Sequence, residues 1–253
     1  MVRWGVAGLA VLASAAPAHE TFVVVPQPAV VGVPLALRLT SSMRFPRAET
    51  AIKPGRVARA VAATGDVAQA VRVGSADAAW LNLAVTPDRA GTMVVAIDLG
   101  PKAIALTPDK VAEYFAEVGA SPAVRAAYAA QPAPRQWNEF YTKHAKAMVC
   151  VAPCRDAAAA MRGAGQALEF VAADAGLRRF VLLAAGKPLA GQPVQIVDKG
   201  GKVVRAVTGA DGGVVVAAGV KAPLLLATTV LRAPAKAGAA FTSDFATLSV
   251  GPR

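Results

Sequence analysis

The chain is poor in the residues that do most protein chemistry. It has two histidines, two cysteines and only 6% aromatic residues among 253 positions, and its 16 acidic residues face 27 basic ones. With so few histidines and no acidic cluster, general acid–base catalysis has no evident players. None of the G-x-S-x-G, H-E-x-x-H, P-loop or dinucleotide fingerprints occurs, so those hydrolase, zinc-protease and nucleotide-binding mechanisms have no sequence support. The one markedly apolar segment near the start is shorter than the roughly 20 residues a membrane-spanning helix needs. The net charge of +11 raises the question of a nucleic-acid partner, but the basic residues are scattered, and export, argued next, points away from nucleic acid. A bias toward acidic surfaces remains.

What is present begins with an export signal. Met1-Val2-Arg3 supplies a basic start, residues 4–13 are almost wholly apolar, and Ala16-Pro17-Ala18 places small residues where a signal peptidase reads them. Cleavage after Ala18 would leave a periplasmic chain that starts at His19 and does not span the membrane. No cysteine stands at the cleavage point, which argues against a lipoprotein. In an oxidising compartment, Cys150 and Cys154 are expected to pair as a disulfide across a small loop containing Pro153. The competing reading of C-x3-C is a soft-metal site.

Most of the sequence after the signal is patterned as short strands. "TFVVVP", "VPLALRLTSS", "RVARAVAA", "AQAVRVG", "WLNLAVTP" and "TMVVAIDLG" are separated by turn residues at the spacing of a β-sandwich. The pattern then turns helical. Thr107-Pro108 and Ser121-Pro122 are start signals for two short helices over 107–130, and Val111, Tyr114, Phe115 and Val118 share one face of the first. Segment 136–151 reads as a strand, with Tyr141, Lys143, Ala145, Ala147 and Val149 on one side and Phe140, Thr142, His144, Lys146, Met148 and Cys150 on the other. A helix is the competing reading for 138–148. Beyond residue 165, "GKPLAGQPVQIV" and "TGADGGVVV" give the strand–turn rhythm of a small prealbumin-like sandwich of the carboxypeptidase-regulatory type. The fold class expected is mainly β: two β-sandwich domains, Ig-like or prealbumin-like, at 19–160 and 165–253, with a helical pair inserted after the first. Trp137, Phe140 and Tyr141 are expected to pack the join between them, and a sugar- or base-stacking surface is the alternative.

A histidine in first position is chemically distinctive because its α-amine and its imidazole can chelate one metal ion together. Such amines titrate near about 8 and imidazoles near about 6.5, so freeing both nitrogens near neutral pH costs little. Imidazole nitrogen suits nickel, copper and zinc. The other histidine, His144, is the one available third nitrogen, and Met148 on the same face could add a soft axial contact. Glu20 and Tyr141 are candidates for outer positions, whereas Lys143 and Lys146 would oppose a cation.

The segments "AHETFVVVP", "VGVPLALRL" and "FYTKHAKAMV", followed by "GKPLAGQPVQIV…TGADGGVVV" and "FATLSV", resemble the exported NikM-like family, a periplasmic component of nickel or cobalt uptake. The resemblance implies two β-domains, periplasmic residence and a transition-metal role. Carried over, it would make His19 and His144 ligands for nickel, cobalt or copper, with a metal-uptake transporter or outer-membrane receptor as partner. The chain departs from the family after the initial His-Glu, where Thr21-Phe22-Val23 stand in place of aromatic residues, and again around "SSMRFPRAE". The expectation is therefore a non-enzymatic metal-binding or delivery protein. A structural or adhesive module that binds a protein or polysaccharide is the alternative, and a copper-dependent oxidase or oxygenase is a remoter one.

Overall fold

A computed structural model describes residues 19–154, 156–236 and 238–252. The expected signal, residues 1–18, lies outside them. Its centre is an eight-stranded sheet in the order Val203–Val207, Pro193–Val197, Leu224–Arg232, Phe241–Val250, Trp137–Val151, Gly91–Leu106, Val57–Ala63 and Gln69–Ala70. Adjacent strands are antiparallel except Phe241–Val250 and Trp137–Val151, which run parallel. Two smaller sheets cover it. The first contains Glu20–Val24, Leu35–Ser42, Leu81–Val85 and Arg72–Ala76, with Thr50–Ala51 beside the second of these. The second contains Leu168–Ala172, Arg179–Ala184 and Lys187–Pro188, with Gly213–Val215 alongside.

Strand alternation puts these covers on opposite faces. Val95, Ile97, Ala145, Ala147 and Val149 enter one core with Leu37, Leu39, Leu81 and Leu83. Their neighbours Val94 and Met148 enter another with Phe170, Phe180, Leu182 and Leu226. Strand 137–151 thus has the two faces its alternation predicts, and the helical reading of 138–148 does not describe it. The chain is mainly β with one helical pair. Its two sandwiches share the central sheet: ten residues of 241–250 register with 139–148.

The two helices, α1 (Pro108–Glu117) and α2 (Pro122–Ala129), form where the Ser/Thr-Pro signals stand. Ser121 caps α2 by accepting from the Val124 N–H. Thr107 gives no such cap, because its hydroxyl bonds Asp109 instead, which helps hold that carboxyl low. Val111, Tyr114 and Phe115 of α1 pack with Trp137, Phe241 and Phe245 in a third core. Trp137 is fully buried there and stacks on Phe241 with centroids 4.0 Å apart. Phe140, by contrast, is 55% exposed. Tyr114, Trp137 and Ser243 all donate to the buried Glu139 carboxylate, which ties the helical pair to the sheet.

The turn in "TGADGG" needs its glycine. Gly212 has φ +72°, and a Cβ there would lie 2.9 Å from the Leu182 carbonyl oxygen and 3.0 Å from the Leu189 nitrogen. Gly212→Ala is expected to cost about 1–3 kcal/mol in urea unfolding. Gly191→Ala, at φ +70° with open space around it, should cost less; equal losses would assign the cost to backbone conformation alone.

Candidate functional site

His144 sits in mid-strand directly opposite Asp98. Its Nδ1 is 2.8 Å from Asp98 Oδ1 and its Nε2 3.0 Å from Asp244 Oδ1. Arg59 donates to the second oxygen of Asp98 at 3.1 Å, and Arg232 to that of Asp244 at 2.6 Å. Gln166 adds a donor to Asp98 at 2.8 Å. Arg59, Asp98, His144, Asp244 and Arg232 occupy five consecutive strands, forming a row of alternating charge across the sheet. The ring is 5% exposed. Burial opposes its positive charge, but the two carboxylates outweigh burial and push its pKa up to about 9. Burial likewise works against both aspartates, and hydrogen bonds from His144 and the arginines hold them low nonetheless. With both ring nitrogens donating, His144 has no lone pair to offer a metal.

Further along the same face, Lys146 is buried against Glu169 and also donates to the Phe170 carbonyl at 2.9 Å. Burial pushes the amine down, against the pull of Glu169. Glu169 also accepts the Ala164 and Gly165 N–H groups at 2.7 and 3.0 Å. Met148 lies two side chains beyond His144 on that face, with Lys146 between them, packed in the second sandwich core.

His19 lies on the other side of the sheet. Its carbonyl accepts from Lys143 Nζ, a neighbour of His144 that alternation directs to the opposite face, and from Ser41 Oγ. Its Nε2 is 3.5 Å from Glu49 Oε2. The Glu49 carboxyl is held below its ordinary range, first by the Met43 N–H and then by His19, Ser42 and Arg44. Lys143 stands over the rings of Tyr141 and Phe245 at 5.7 and 5.4 Å. Burial lowers its pKa to about 8, and burial raises that of Glu20 beside it to about 7, each partly offset by the other's charge. Glu20 Oε2 is buried with no hydrogen-bond partner.

The structure therefore does not bring His19, His144 and Met148 together. His19 meets Glu49 and Lys143, His144 meets two aspartates, and Met148 is core. Among the described residues no group of three or more His, Cys, Asp or Glu side chains is arranged to hold a metal. Cys150 and Cys154 are disulfide-bonded, so neither offers a thiolate. The partners the sequence reading missed, Asp98, Asp244 and Glu169, share one signal: each is the single acidic residue of a largely buried strand. No family model matches the chain, and no curated protein and no solved structure matches it either.

Proposed function

We propose that this chain, exported and cleaved after Ala18, is a non-enzymatic periplasmic protein that binds or delivers nickel, cobalt or copper at His19. The supporting observation is the fixed setting of that residue. Its carbonyl is tied to Lys143 and Ser41, and its ring lies beside the ionised Glu49. Chelation through the α-amine and Nδ1 leaves Nε2 toward Glu49, and a carboxylate in that position orients a metal-binding imidazole. The residues at hand fit a two-nitrogen clamp with an anionic neighbour. His144, saturated by its aspartates, is not part of it.

Metal titration by calorimetry tests this on chains beginning at His19. One Ni²⁺ or Cu²⁺ is expected to bind, and His19→Ala or acetylation of the His19 α-amine should weaken binding at least about tenfold, because each removes one arm of the chelate. Glu49→Gln should weaken it less. Equal binding by the acetylated chain would sink the reading. A metal-uptake transporter or outer-membrane receptor is the partner it calls for; among the described residues no helix is long and apolar enough to cross a membrane. The structural-module reading draws on a different observation, that the buried charges are spent on one another, and it predicts no response to metal.

A further inference from the structure

Far along the first strand from His19, a cavity of about 520 Å³ opens between the segment 23–29, the Phe45–Pro46 loop and the ends of strands 137–151 and 241–250. That volume falls within the range of small-molecule sites. No charged side chain lines it among the described residues. Five lining residues, Pro26, Pro28, Pro46, Pro223 and Pro252, are prolines. A proline has no N–H and a fixed φ, so such a wall offers few donors and resists collapse. Cys150, whose disulfide closes the adjoining loop, also lines it. The wall is therefore apolar and stiff before any ligand arrives, which lowers the ordering cost of binding. Two polar side chains break the pattern, Gln27 at the exposed rim and Ser249 inside; Ser249 is 7% exposed and its hydroxyl has no hydrogen-bond partner.

We propose that this cavity binds a neutral, predominantly apolar small molecule carrying one hydrogen-bond acceptor, which the Ser249 hydroxyl would meet. A charged ligand is excluded because its desolvation would find no counter-charge in the wall. The site is independent of the metal reading and stands or falls separately from it.

The test uses Nile red, a neutral apolar dye with a carbonyl acceptor, titrated into the full exported chain. Saturable one-to-one binding is expected, with displacement by 1-decanol at least about tenfold more effective than by decanoate. Ser249→Ala should weaken dye binding about fivefold, the worth of one neutral hydrogen bond. Val25→Trp and, at the more exposed Ala152, Ala152→Trp should fill the space and abolish saturable binding. Two substitutions guard against a fold defect in one, and an unchanged far-ultraviolet spectrum and melting temperature certify each. Non-saturable binding by the parent chain, equal displacement by decanoate, or undiminished binding by folded tryptophan variants would overturn the assignment.

Discussion

Replacing His144 with leucine is expected to destabilise the protein by about 3–5 kcal/mol, because it strands two largely buried carboxylates. Asp98 and Asp244 are each 16% exposed in their side chains and would keep only their arginine and amide partners. The midpoint of urea unfolding should fall accordingly. Asp98→Asn combined with His144→Leu should be less damaging than His144→Leu alone, since one stranded charge goes with the ring. An unchanged midpoint in the single variant would remove the charge row from any account of stability.

The same row sets a pH dependence. The folded pKa of His144, about 9, lies above the ordinary imidazole value of 6.5. The folded state therefore binds the proton more tightly, and the resulting stability is fully present below about pH 6.5. It declines as pH rises and is lost above about 9, a contribution of about 3 kcal/mol. Glu20 and Lys143 titrate in the same window, with pKa values near 7 and 8. The informative quantity is thus the difference between parent and His144→Leu across pH 6–9.5, in which those two groups cancel. That difference should shrink toward alkaline pH; a flat difference would show that the ring is not held as an imidazolium.

Lys146→Met is the second change of large expected effect. Lys146 and Glu169 are each 1% exposed in their side chains, and methionine would fill the space of the lysine stem while leaving the carboxylate without a counter-charge. A loss of about 3–5 kcal/mol is expected. Adding Glu169→Gln should restore more than half of it, because the amide removes the buried charge and keeps one oxygen for one of the two N–H groups, Ala164 and Gly165, that bond the two carboxylate oxygens. Urea unfolding of the two variants decides between charge and packing. If the double variant is no better than the single one, the defect lies in packing.

The fold was legible because its signals are local. The alternation along 136–151 identifies both faces of the strand before any partner is known, and Ser121-Pro122 marks a helix start within a residue. The setting of the two histidines was not legible, since it depends on pairing between distant segments. The sequence puts His144 on a face with Met148, but nothing local says that Asp98 will stand opposite it or that Asp244 will arrive on a parallel strand from near the chain's end. A lone histidine on a strand is compatible with a ligand and with a saturated ion pair. The solitary acids in "MVVAIDLG" and "FTSDFATLSV" were the available hint, because a carboxylate on a buried face requires a counter-charge.

The seam between strands 137–151 and 241–250 also dictates when the molecule can be finished. Its paired residues are separated by roughly a hundred positions, and closing so long a loop slows assembly. A polypeptide made amino end first would hold strand 137–151 as an unzipped border until residues 241–250 emerged. During that interval the border is open to pairing with another nascent copy, so this is when a holding chaperone would matter most.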